Sequence, residues 1–240
     1  MINNTKKFWQ ESWIQHIESY LKAIPRAGIF ISNYFTTSKK VLEIAGGSCR
    51  DSRYLANSGF DATGSDFDEN TLTYLQEERF PNDKLNYSRE DAFGFTFEDS
   101  SFDLVFHNGF FIYFNNQEIN NMLKEQERVS KKYIVMFVHN VENKTLVKTF
   151  DEKSKKDDLY KIRFFDKYEI EQIIKKSGID YKNIKILKFG GFFDVFYKKF
   201  LKNKIPNILY PISRYIIPKM YQFQKWENTE RICCVVEINK

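Results

Sequence analysis

Seven short apolar runs recur along the chain: KVLEIA (40–45), FDATGSD (60–66), LNYSRED (85–91), FDLVFHN (102–108), KYIVMFVHN (132–140), IKILKF (184–189) and RICCVVEIN (231–239). Each has strand length and is bounded by polar or glycine-containing segments. Between them, CRDSRYLANSG (49–59), DENTLTYLQEERF (68–80), NQEINNMLKEQERVS (116–130) and DKYEIEQIIKKSG (166–178) carry helical periodicity, the first and last with a glycine stop. Strands alternating with helices predict a mainly parallel sheet covered on both faces, an α/β doubly wound architecture. Ahead of the first run, Phe8, Trp9, Trp13, Ile17 and Tyr20 or Leu21 fall at helical spacing and Pro25 breaks the pattern, which predicts one helix, a break, and a second helix up to Thr37.

The chain has 240 residues and 42% hydrophobic content, enough for one large domain with its own core. No internal repeat or low-complexity linker divides it. The expected organisation is a single domain: an N-terminal helical cap (1–38), a core (39–197), a basic aromatic insert (198–229) and a last strand (230–240). Cysteines are few; Cys49 stands alone, and Cys233 and Cys234 would face opposite sides of one strand. That usage suits a reducing compartment. No stretch reaches the roughly 18 uninterrupted apolar residues of a membrane span, and the N-terminus lacks a signal-type apolar region, so the expected location is the cytoplasm. The net charge of +5 names no partner by itself. From Val195 to Trp226, however, there is no acidic residue, while Lys198, Lys199, Lys202, Lys204, Arg214, Lys219 and Lys225 are interleaved with aromatics. This insert would suit an anionic ligand or contact with a membrane surface; a solvated face with an aromatic core side is the alternative.

The turn after the first strand carries the most chemistry. In VLEIAGGSCR (41–50) a strand runs through Gly46 and Gly47 into a helix, an arrangement that presents backbone N–H groups and a positive dipole end to a ligand. A G-x-G-x-x-G fingerprint would need three spaced glycines, and the Walker A pattern is absent, so the turn alone leaves the ligand open. Asp66 ends the second strand at the distance expected of an acid that accepts from ribose hydroxyls. With Glu43 after the first strand and Asp91 after the third, it makes a set of strand-end acids in register.

These residues, together with SFDLVFHNGFFIYF (101–114), KKYIVMFVHN (131–140) and ERICCVVEI (230–238), resemble the class I S-adenosylmethionine-dependent methyltransferases over roughly residues 39–197 and 230–240. The resemblance implies a Rossmann-like, doubly wound, mainly parallel seven-stranded sheet, with an N-terminal helical cap and a helical insert before the last strand. It implies S-adenosylmethionine as cofactor: Glu43 anchoring the turn and facing the methionine amino end, Gly46 and Gly47 admitting the cofactor to the backbone, Asp66 on the ribose, and Phe67 on the adenine. Asp91 would accept from the adenine amino group with Ala92 and Phe93 beside the ring, and Asn108 would face the sulfonium. Against the family form E/D-x-G-x-G-x-G, Ala45 and Cys49 replace the first and third glycines. Cys49 would add bulk beside the cofactor's amino-acid end; a packed thiol and a low-pKa thiolate at a helix N-terminus are the two readings of its sulfur.

Methyl transfer needs alignment of the acceptor and, for an alcohol, a general base. His139 and His107, each at a strand end and each followed by Asn, are the candidate bases; Tyr113 lies where many relatives carry a histidine, and His16 falls in the first helix. No metal site is assigned. The sequence HNGF (107–110) stands where adenine N6 enzymes carry Asn/Asp-Pro-Pro-Tyr/Phe, and no cysteine is placed for pyrimidine C5 chemistry, which argues against nucleic acid. The expected function is methylation of a small-molecule acceptor, on the oxygen of a sugar, nucleotide-linked or phosphorylated metabolite. An RNA or protein methyltransferase, or a non-catalytic cofactor-binding subunit, is the alternative.

Overall fold

A computed structural model describes Trp9, Trp13, residues 15–191, Asp194, Ile216 and residues 219–240. All seven expected strands form: β1 (Lys40–Glu43), β2 (Asp61–Asp66), β3 (Asn86–Arg89), β4 (Phe102–Asn108), β5 (Ser130–His139), β6 (Tyr181–Gly191) and β7 (Thr229–Ile238). They make one sheet in the order β3-β2-β1-β4-β5-β7-β6. Pairings from β3 through β5 are parallel, and β7 runs antiparallel to both β5 and β6. This is the Rossmann-like topology. The chain leaves β1 toward β2 and β3, then returns to lay β4 on the other side of β1, so a crevice opens at the carboxyl ends of β1 and β4.

Continuous apolar runs are what a parallel sheet covered on both faces requires. Leu104, Val105 and Phe106 of β4 and Ile134 through Val138 of β5 are all fully buried. The two faces carry separate cores, and the vicinal cysteines divide between them as alternation demands: Cys234 packs with Val105, Met136 and Ile232, Cys233 with Phe106, Val135 and Phe137.

The helices are α1 (Ile17–Leu21), α2 (Arg26–Tyr34), α3 (Arg50–Asn57), α4 (Glu69–Thr73), α5 (Asn116–Val129), α6 (Lys144–Ser154) and α7 (Lys167–Lys176). Helix α5 starts on a reciprocal capping box between Asn115 and Glu118 and buries Ile119, Met122, Leu123, Gln126 and Val129. Helix α7 starts on Asp166, whose carboxylate accepts the Glu169 N–H at 2.7 Å, and buries Ile170, Ile173 and Ile174. Two elements depart from the expected pattern. The helix expected over 68–80 passes at Tyr74–Arg79 into a π-helical stretch, and α6, which has no buried residue, carries too little of an apolar stripe to announce itself. The expected insert at 198–229 lies mostly outside the described residues, as do Phe8 of the N-terminal stripe and Lys198, Lys199, Lys202, Lys204 and Arg214. Among the described residues no helix is long and apolar enough to cross a membrane.

Candidate functional site

The turn after β1 takes three left-handed residues, Ala45 (φ 49°), Gly47 (φ 53°) and Cys49 (φ 47°). A side chain in this region costs on the order of 1–2 kcal/mol, which is why glycine is favoured there. The two departures from the glycine pattern therefore stand on strained backbone. Cys49 does not lean toward a ligand. Its thiol is fully buried, with Sγ 2.8 Å from where a Cβ on either Gly46 or Gly64 would lie. Burial pushes its pKa well above the ordinary thiol value. The bulk expected beside a cofactor instead fills the slot between turn and β2, and the thiolate reading does not hold. The missing Cβ atoms of Gly46 and Gly47 likewise make room for protein: for the Cys49 sulfur at one and for the Trp13 ring, 2.4 Å from an added Cβ, at the other.

A cavity of about 300 Å³ opens over this turn at the carboxyl ends of β1, β2 and β4. Glu43, Ala45, Gly46, Gly47, Asp66, Phe67, Asp91, Ala92, Phe93 and Asn108 all line it, so the fold brings together every residue expected at a cofactor site. Asp66 uses one oxygen to accept the Gly47 N–H at 2.9 Å and the other to accept the Asp68 N–H at 3.1 Å. Each oxygen keeps a lone pair for a further donor. Burial raises its pKa. Asp91 closes a tight turn by accepting the Phe93 N–H at 3.1 Å, with Ala92 buried behind it and Phe93 44% exposed against Phe114. Glu43 is 3% exposed and accepts the Ser52 N–H at 2.9 Å. Burial, reinforced by the neighbouring Asp51 carboxylate, pushes its pKa up to about 8, so it carries a proton at neutral pH.

The far wall of the cavity holds the candidate bases unequally. His139 lines it, with Nδ1 buried and without a hydrogen bond and its ring against those of Phe150 and Phe164, which also touch each other. Burial and the Arg231 charge hold its imidazole well below its ordinary pKa. His107 is not at the cavity. It is fully buried, both ring nitrogens lack partners, and its ring packs 4.1 Å from that of Phe111. Burial holds it neutral with a pKa of about 3, and the expectation that it meets an acceptor is corrected: alternation along β4 turns it into the core. Tyr113 lines the cavity, donates its hydroxyl to the Leu159 carbonyl at 3.1 Å, and meets Trp9 edge-on.

Several residues at this site were not anticipated. Arg231, the third residue of β7, is buried beside His139; one guanidinium nitrogen donates to Asn108 Oδ1, while Asn108 Nδ2 donates to Asp51 Oδ2 at 3.2 Å. The Asn108 side chain is thus committed to positioning two charged groups. Phe150 of the unforeseen helix α6 meets Tyr160 edge-on to complete an aromatic wall. The N-terminal stripe, which the resemblance itself places beside cofactor and acceptor, brings Trp9, Trp13 and Tyr20 to the cavity lining. His16 is not among the lining residues; its Nε2 reaches Asp157 at 3.3 Å and ties α1 to the loop after α6. A single reaching side chain such as Arg231 or Arg50 leaves no periodic signal in the sequence.

The polar lining fits an adenosyl amino acid. Asp66 retains acceptor capacity beside the aromatic rings of the rim, and Trp13 Nε1, Arg50 Nε, Asp68 Oδ1, His139 Nδ1 and Arg231 Nε are buried polar atoms at the cavity that make no hydrogen bond. Residues 41–133, from β1 into β5, match the family model described as a methyltransferase domain. Phosphoethanolamine N-methyltransferase 1 of Caenorhabditis elegans is 28% identical over 124 residues, 48% of this chain but only 26% of that protein. Among solved structures, a SAM-dependent methyltransferase from Archaeoglobus fulgidus is 14% identical over 94% of this chain and all of its own, with a TM-score of 0.63. Phosphoethanolamine N-methyltransferase 2 of Haemonchus contortus, in complex with S-adenosyl-L-methionine, is 17% identical over 98% of this chain and 60% of its own, with a TM-score of 0.62. At such identities the structural likeness is one of fold. The strands that build the cleft thus match a methyltransferase domain, and the fold is that of solved S-adenosylmethionine-dependent methyltransferases.

Proposed function

We propose that the chain binds S-adenosylmethionine against the Gly46–Gly47 turn and Asp66 and directs its methyl group to a small anionic acceptor held at His139 and Arg231. The observation that carries this reading is that one cavity runs from the acid-lined turn to those two residues. In this reading Asp66 meets the ribose hydroxyls, Phe67 and the Asp91–Phe93 turn border the adenine, and Glu43 meets the amino group.

The bound cofactor supplies a methyl carbon already activated by its sulfonium. The chain has to orient the acceptor, exclude water and take a proton. Phe110, Tyr113, Phe150 and Tyr160 wall the acceptor end. His139, neutral and buried, stands where it can take the proton of an acceptor hydroxyl or amine. The Arg231 charge beside it opposes imidazolium formation, so an acceptor whose own anionic group offsets that charge restores basicity to His139 as it binds. This favours a phosphorylated metabolite over a neutral one. The nematode relatives, named for phosphoethanolamine, suggest a phosphate with an amine as the first acceptor to try; a phosphorylated or nucleotide-linked sugar hydroxyl is the oxygen counterpart.

The test is S-adenosylhomocysteine formation with phosphoethanolamine, sugar phosphates and nucleotide sugars, each beside its uncharged analogue. Turnover confined to anionic acceptors supports the proposal. Equal turnover of the uncharged analogues removes the role given to Arg231, and no turnover with any of the panel removes the acceptor class.

A further inference from the structure

Trp13 crosses the glycine turn from outside the sheet. Its ring fills the space a Cβ on Gly47 would need, and its Nε1–H is buried without a hydrogen-bond partner. Leaving such a donor unmade costs on the order of 1–3 kcal/mol, and buried indoles ordinarily find an acceptor. Arg50 stands on the same rim. Its Nη1 donates to the Tyr20 carbonyl at 3.2 Å, and the Tyr20 ring lies 4.6 Å from that of Trp13. Arg50 Nε is buried too, makes no hydrogen bond, and approaches Asp51 Oδ2 only to 3.5 Å.

Three backbone donors of the turn are already occupied. The Gly46 N–H donates to the Ser65 carbonyl at 2.8 Å, that of Gly47 to Asp66 at 2.9 Å, and that of Cys49 to the Gly46 carbonyl at 2.9 Å. An anionic group at this end of the cavity can therefore be met by side chains, and the buried side-chain donors there that make no hydrogen bond are Trp13 Nε1–H and Arg50 Nε–H. Glu43, across the same end, complements a cationic group.

We infer that Trp13 Nε1–H and Arg50 Nε–H form a carboxylate subsite for the amino-acid end of the cofactor, with Glu43 taking the ammonium. This rests on the proposed S-adenosylmethionine site and adds to it the residues that distinguish a full amino-acid ligand from a plain adenosyl thioether. It also makes the N-terminal segment part of the cofactor site.

The experiment is calorimetric titration of the full chain, W13F and R50Q with two ligands: S-adenosylhomocysteine, and 5′-methylthioadenosine, which keeps the adenosyl thioether and lacks the amino acid. Each substitution is expected to weaken S-adenosylhomocysteine by about tenfold or more while leaving 5′-methylthioadenosine within about twofold. Phe at 13 removes the donor together with part of the indole over Gly47, and R50Q repeats the test with Trp13 in place. Equal losses for both ligands, or no loss for either, overturn the inference while leaving the cofactor site standing. A wild-type chain that binds neither ligand overturns both.

Discussion

Asp66 accepts the backbone N–H of Gly47, 19 residues upstream, at 2.9 Å. The end of β2 is thereby tied to the turn after β1, and the acid is fixed before any ligand arrives. Its second oxygen is fixed by the Asp68 N–H. A carboxylate held by two backbone donors keeps its orientation at little further entropic cost, which is the preorganisation a hydroxyl-binding acid needs.

Cofactor binding should release a proton at neutral pH. Glu43 is protonated below about pH 8 because burial and Asp51 disfavour its charge; an ammonium placed beside it favours the ionised form. Affinity should therefore rise with pH up to about 8 and level above it. Calorimetry in two buffers of different ionisation heat reads up to one proton released per site at pH 7, and E43Q abolishes the release. Buffer-independent heats in the wild type would show that Glu43 does not meet the ammonium.

The two strand-end histidines should separate cleanly. H139A is expected to lower turnover by ~10²–10⁴ with cofactor affinity nearly intact. H107L, a swap of similar volume at a buried position without partners, should retain activity and lose no stability. Both imidazoles are neutral in the folded chain, whereas an unfolded histidine takes a proton below about pH 6.5. The unfolded state then binds more protons, so stability is complete above about pH 6.5 and declines as the pH falls toward 3. H107L should remove one histidine's share of that decline, up to about 1.4 kcal/mol per pH unit. Chemical denaturation at pH 7 and pH 5 measures it; an unchanged pH dependence would place His107 in contact with solvent.

The three cysteines should be silent in the native state. All are fully buried, and burial raises each thiol pKa. A thiol reagent should titrate three groups in denaturant and none on mixing with the folded chain. Immediate reaction of one thiol, mapped to Cys49, would mean that the turn is open.

Most of the fold was written in periodicity: every strand and each of α1–α5 and α7 follow from the spacing of apolar residues, because a sheet buried on both faces allows little else. Helix α6 escaped because it buries no residue and sends only Phe150 to the cavity lining. At the site, the strand-end position of Glu43, Asp66 and Asp91 made them legible, since topology places strand ends at the crevice. Alternation could have excluded His107, as its neighbours Phe106 and Asn108 point to the other side of β4. Arg50 and Arg231 were illegible as cavity-lining residues, for each arrives from a segment distant in sequence and acts through reach. The direction of the Cys49 sulfur depended on a left-handed φ that no composition reveals.

The most direct measurement is the affinity of S-adenosylhomocysteine for the wild type and for D66A by calorimetry, with thermal melting as a control for folding. Loss of hydrogen bonds to a charged acceptor, at roughly 1.5–3 kcal/mol each, predicts at least about a tenfold weakening in a chain that still melts cooperatively. An affinity unchanged in folded D66A would place the adenosyl group elsewhere and contradict the site at the Gly46–Gly47 turn.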